Sequence, residues 1–105
     1  MIQSRVDTIR KMLEAEPGDP FLNYALALEF AKENKVAEAI QLIEEVLGRD
    51  EKYLGAYYQL GKFYEQVGDK AKAIEVYLKG MDVAKAQKNT KALNELRGAL
   101  EMVEE

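Results

Sequence analysis

The chain has no cysteine and no histidine, and Ser4 is its single serine. Without cysteine there is no disulfide, no thiolate metal site and no thiol nucleophile, and a reducing compartment suits it. Without histidine the commonest general base near neutral pH and the commonest metal ligand are missing, and Ser4 has no partner for a nucleophilic triad. The paired acids Glu44-Glu45 and Glu104-Glu105 are adjacent in sequence. On a helix such neighbours point about 100° apart and cannot work as a pair. Gly55 and Gly61 do not form a phosphate-cradling G-x-G-x-x-G turn after a strand, and the acids lack metal-ligand spacing. No catalytic residue, no metal site and no cofactor are expected.

Long apolar runs are also missing. None approaches the roughly 18 residues that a membrane-crossing helix needs. The opening MIQSRVDTIRKMLEAE has neither the apolar core nor the small-residue cleavage site of a signal peptide. It reads as the first helix of the fold, and a cytoplasmic location is expected. Only two prolines occur, Pro17 and Pro20. The net charge of -4 argues against a nucleic-acid partner. That charge is uneven: residues 1–51 hold 11 acids and 6 bases, 52–91 hold 4 acids and 8 bases, and 92–105 hold 4 acids and 1 base. Solvated helix faces account for this, and so does a second repeat that prefers an acidic partner segment.

What is present is a sequence of 105 residues, 48% apolar and 32% charged, enough for one ordered domain. The apolar periodicity predicts six helices and no strands. The first covers about 2–15, with Ile2, Val6, Ile9 and Leu13 on one stripe, and Glu-Pro-Gly-Asp at 16–19 stops it. Asp19 is an N-cap and Pro20 a first helical residue for the second, about 20–33. Asn34 tolerates the left-handed turn that follows. The third covers 36–48, with Ala39, Ile40, Ile43 and Val46 on a broad face. Asp50 reads as the cap of a fourth over 51–67. Gly68 supplies a left-handed turn and Asp69 a cap for a fifth, from 70 to about 87. The last spans about 90–103 on a stripe of Leu93, Leu96, Leu100 and Val103, with Gly98 and Met102 off it.

The middle of the chain repeats at a spacing of 34 residues. Asn23-x2-Leu26-Ala27-x2-Phe30 with Ala39-x3-Ile43 returns as Tyr57-x2-Leu60-Gly61-x2-Tyr64 with Ala73-x3-Tyr77. A unit of this kind cannot bury its apolar face alone and stacks on its neighbour. Ala27, Gly61, Ala39 and Ala73 are small where paired helices must come close. Phe30, Tyr64, Ile43 and Tyr77 are the large knobs, and Tyr57, Tyr64 and Tyr77 are read as structural. These residues resemble the tetratricopeptide repeat pattern W-x2-L-G-x2-Y…A-x3-F…P. Tyr57 stands where that pattern has Trp, and Asn23 in the looser first copy. Glu51 and Lys85 stand where it closes on Pro, while Pro17 keeps the proline.

The resemblance implies an all-α, right-handed α-α superhelix of about two and a half hairpins and six helices in one domain over 1–105. Residues 1–17 would form an N-terminal capping helix, 20–53 repeat one, 54–87 repeat two and 88–105 a C-terminal capping helix. It also implies a non-enzymatic adaptor or scaffold that holds a peptide or helix of a protein partner in a concave groove. Carried over by position, Phe21, Tyr24, Leu28 and Ala31 would line the groove from repeat one. Gly55, Tyr58, Gln59, Lys62 and Glu65 would line it from repeat two. Family members that hold a chain-terminal carboxylate do so with Lys, Asn and Arg. Tyr24, Leu28 and Gln59 stand at those places, and Lys62 alone cannot supply the positive clamp. The helix FLNYALALEFA is apolar almost all round, so Phe21, Tyr24 and Leu28 need cover beyond the core stripe. A terminal helix, a peptide in the groove or a second copy in a homo-oligomer would each provide it.

Overall fold

A computed structural model of the chain describes residues 4–105. Among these residues there are six helices and no strand: α1 Arg5–Ala15, α2 Pro20–Lys32, α3 Val36–Arg49, α4 Leu54–Gln66, α5 Lys70–Ala86 and α6 Thr90–Glu104. Residue 2, where the first helix was expected to begin, and Ile2 of its stripe lie outside the described residues.

The helix starts follow side-chain capping at four of six places. Ser4 Oγ accepts from the Asp7 N–H at 3.0 Å, Asp19 Oδ1 from Leu22 N–H at 2.9 Å, Asp69 Oδ1 from Lys72 N–H at 3.1 Å and Asn89 Oδ1 from Ala92 N–H at 3.0 Å. Each satisfies one of the unpartnered donors of a first turn. Asp50 does not do this. It ends α3, and its Oδ1 accepts from Lys52 N–H at 3.2 Å within the turn. The fourth helix therefore begins at Leu54 rather than 51, behind Tyr53, which makes no side-chain capping bond. An aspartate that is bonded inside a turn is no longer free to cap the next helix.

Three turns share one device. Asn34 (φ 63°), Gly68 (φ 82°) and Lys88 (φ 56°) are left-handed. Just after them, Lys35, Asp69 and Asn89 donate backbone N–H bonds of 2.9 Å to Phe30, Tyr64 and Ala84. That is the six-to-one closure of a helix C-terminus, which recovers a carbonyl the helix leaves free.

Each helix packs against the next in sequence, and α6 also reaches α4. The stack is elongated, 46 × 29 × 20 Å. It has two buried centres. Ala27, Ala39 and Ile43 pack with Ala56, Leu60 and Phe63 in the first. Tyr57, Ala73, Tyr77 and Ala84 pack with Leu96, Ala99, Leu100 and Val103 in the second. Helix α4 supplies both, so it is the wall between two units that could not close alone. The small sites are tight: a Cβ on Gly61 would overlap the Tyr77 ring, and one on Gly80 would sit 2.6 Å from Tyr57 Cβ. At the ends, α1 covers α2 with Ile9 buried, and α6 turns a mostly polar outer face to solvent apart from Met102.

Candidate functional site

The two candidate rows sit on α2 and α4, one hairpin apart. Phe21 is 64% exposed, while Tyr24, Leu28 and Ala31 are half-buried. Tyr24, Leu28 and Ala31 rest against the first core centre, to which α4 contributes Ala56, Leu60 and Phe63. Their cover comes from the neighbouring hairpin. Phe21 is left mostly open. The Tyr24 ring stands 5.3 Å from that of Tyr53, and a Cβ on Gly55 would lie 3.8 Å from Tyr24 Oη. Burial, then the neighbouring Tyr53, pushes the Tyr24 phenol up, and Gln59 pulls partly against this.

On α4, Tyr58 is half-buried, with its ring 6.5 Å from that of Tyr77. Lys62 Nζ lies 5.5 Å above the Tyr58 ring and 3.9 Å from Glu65 Oε2. Glu65 also accepts a short bond from Tyr77 Oη. Both partners meet the same carboxylate oxygen, the hydroxyl closely and the ammonium at the outer edge of ion-pair distance. Burial, then that bond, drives the Tyr77 phenol above its ordinary range. The structure thus brings Tyr58, Lys62 and Glu65 into one cluster. Phe21 and the α2 row form a more open surface at the equivalent places one repeat earlier.

A third row was not read from the sequence. Tyr58 stands at the mouth of two hollows between α4 and α6. One, of about 280 Å³, is flanked by Leu54, Gly55, Lys91, Ala92 and Glu95. The other, about 620 Å³, is bounded by Tyr58 and Lys62 on one side and by Glu95, Ala99, Glu101, Met102 and Glu105 on the other, with Gly98 in the wall. Met102 is 69% exposed. A step of 34 residues from Lys62 leads to Leu96, which is buried. The same step takes Tyr58 to Ala92 and Glu65 to Ala99, which line the hollows, while Glu95 and Met102 step back to Gly61 and Gly68 and have no counterpart in the α4 row. Met102 standing off the apolar stripe was the only signal for this row.

Behind α4, on the other side of the stack, a hollow of about 400 Å³ opens between α3 and α5 over Leu60 and Tyr64. Tyr64 Oη donates to Glu44 there, and the phenol is pushed up to about 12 by burial first and by Glu44 next. Lys72 and Lys79 line this hollow. Of the eight bases in 52–91, four stand on α5 and two in turns; Lys62 and Lys91 stand beside the α4–α6 hollows, and Lys70 of α5 shares a hollow with Glu65 and Met102. The positive charge of the second hairpin therefore lies mainly away from the groove.

Among the described residues no group of three acidic side chains is placed to hold a metal ion, and no helix is long and apolar enough to cross a membrane. A family model described as tetratricopeptide repeat matches residues 54–87. The chain is 41% identical to a tetratricopeptide repeat domain protein of Salinibacter ruber, whose crystal structure aligns over 82% of this chain and 96% of that one with a TM-score of 0.77. The TPR2B domain of yeast Sti1, solved in complex with pHsp70, aligns over 94% of this chain and 79% of its own with a TM-score of 0.87, at 19% identity. The mouse interferon-induced protein with tetratricopeptide repeats 3 is 28% identical over 79 residues, 75% of this chain and 20% of that protein. The chain spans about one fifth of that curated relative.

Proposed function

The chain belongs to the tetratricopeptide repeat family, and on that premise we propose that it is a non-catalytic binding module that holds a peptide or helix of another protein against α2, α4 and α6. The observation that carries this reading is the matched pair of rows, Phe21, Tyr24, Leu28 and Ala31 on α2 and Tyr58, Gln59, Lys62 and Glu65 on α4. These rows leave Phe21 exposed and Tyr58 at the mouths of two open hollows. Aromatic anchors beside unfilled apolar space are what a short segment needs to gain affinity. The yeast Sti1 domain bound to pHsp70 supports the same use of the fold. The segment in this case is not a terminal acidic tail. Tyr24, Leu28 and Gln59 stand where positive clamp residues would be needed, and the one lysine on α4 lies 3.9 Å from the Glu65 carboxylate.

The test pairs Phe21→Ala with Tyr58→Ala, because Tyr24 also packs between the hairpins and its loss would blur binding with stability. Partners captured from the source cell by the wild-type chain are purified and titrated against both proteins. At least tenfold weaker binding by the double variant, with an unchanged helical circular dichroism signal, is the expected result. Equal binding by the two proteins removes the groove reading.

Self-association through Phe21 is the competing reading, favoured by that side chain's exposure at the edge of α2. Light scattering at low and high salt separates the two. A chain that is monomeric at both discards it.

A further inference from the structure

The α4–α6 end of the groove has a chemical bias that the α2 end lacks. Glu95, Glu101 and Glu105 line its larger hollow, and Lys62 is the one base that does. Lys62 lies over the Tyr58 ring and 3.9 Å from Glu65, which partly offsets its charge. Lys91 stands further along, in the hollow beside Leu54, and Lys70 lies past Met102 in a separate hollow with Glu65. Between the carboxylates the wall is apolar and low: Gly98 adds no side chain, Ala99 is short and Met102 lies open. On α2 the corresponding row, Phe21, Tyr24, Leu28 and Ala31, carries no charge.

We propose that the segment bound at this end is cationic as well as apolar. Its large side chain rests against Tyr58, Ala99 and Met102, and flanking Lys or Arg residues face Glu95 and Glu105, with Glu101 between. This rests on the groove reading above and narrows it to one partner chemistry. Glu95 lies on α6 and Glu105 just past its end, ten residues on, about 15 Å at helical rise. An extended peptide covers that span in about four to five residues. The two cations should therefore stand about five apart around an apolar centre. A segment with acids in those places would meet like charge across a partly desolvated hollow.

The probes are two labelled hexapeptides, acetylated and amidated: Lys-Ala-Leu-Phe-Ala-Lys, and the same peptide with Glu in both Lys places. Each is titrated into the full chain at low salt while the Gly98 and Met102 amides are followed by nuclear magnetic resonance. The cationic peptide is expected to shift both amides and to bind about tenfold more tightly than the acidic one, with the preference shrinking as salt rises. The variant Glu95→Gln/Glu101→Gln/Glu105→Gln should lose the preference. The variant Glu14→Gln/Glu38→Gln/Glu45→Gln removes as much charge from exposed places on α1 and α3, and it should keep it. If both peptides shift the amides with equal affinity, or the preference survives the groove variant, the charge inference falls while the groove reading stands. If neither peptide moves a groove amide at millimolar concentration, both fall.

Discussion

Where the second hairpin sets Gly61 against Tyr77, the first sets Ala27 against Ile43, 34 residues earlier in each case. The same exchange appears one step along. Tyr57 lies on Gly80 in the second hairpin, and its counterpart Asn23 shares a small hollow with Val46 in the first. In both places a larger side chain on one helix meets a smaller one on the other, and the bulk is divided differently. The polar ends agree even where the residues do not. Tyr57 Oη donates to the Glu51 carbonyl at 2.6 Å, and Asn23 Nδ2 donates to the Pro17 carbonyl at 3.0 Å. Each reaches back six residues and ties down the turn before its own helix. The repeat is thus specified by shared volume and by one recurring hydrogen bond more than by residue identity. This explains how Asn can stand at a place where the family pattern has Trp.

The largest effect should come from adding bulk where the second hairpin has none to spare. Gly61→Leu would drive a branched side chain into the Tyr77 ring, which Glu65 also holds. We expect a loss of about 3 kcal/mol, at the upper end of overpacking costs. Urea unfolding measures it. A midpoint that does not move would remove the close-packing role of Gly61.

A sharper form of the comparison transplants the first hairpin's pair into the second. Gly61→Ala alone should cost about 1–2 kcal/mol by crowding, and Tyr77→Ile alone about 2 kcal/mol by leaving space. Together they recreate Ala27 against Ile43, and the double variant should lose at least about 1 kcal/mol less than the two losses added. Losses that simply add would mean that the two positions do not share one volume.

Much of this was legible in the sequence because it depends on spacing. The caps at Asp19 and Asp69, the left-handed turns at Asn34 and Gly68 and the burial of Tyr57 and Tyr77 all follow from local chemistry read at a known period. Asp50 misled because the local cap preference holds only when the carboxylate is free, and here the turn uses it. The α2 and α4 rows were legible as positions, and the exposure of Phe21 was not, since it depends on which neighbour lies alongside. The α6 row was hidden for a different reason. A step of 34 residues from Tyr58, Lys62 and Glu65 reaches Ala92, Leu96 and Ala99, so it finds the apolar floor of the hollows and misses the charged Glu95 and the exposed Met102.

The smallest effect concerns the residue that closes the back of each hairpin. In the first hairpin it is Phe30, with the Arg10 guanidinium 5.6 Å from its ring centre. In the second it is Tyr64, whose hydroxyl donates to Glu44. Only the second closure can titrate. The Tyr64 phenol is at about 12 in the folded chain, against 10.0 when free of these surroundings. Between those values the folded state holds a proton that the unfolded state releases. The contribution is complete below pH 10 and is lost as pH rises toward 12. Tyr77, Tyr24, Tyr53 and Tyr57 are raised as well and act in the same direction. Tyr64→Phe copies the first hairpin's closure into the second. It should lower the urea midpoint near pH 8 slightly, by the one exposed hydrogen bond it removes, and flatten, without abolishing, its fall between pH 10 and 12. An identical alkaline slope in the two proteins would mean that the Tyr64 hydroxyl is as free in the folded chain as in the unfolded one, and that both hairpins are closed by packing alone.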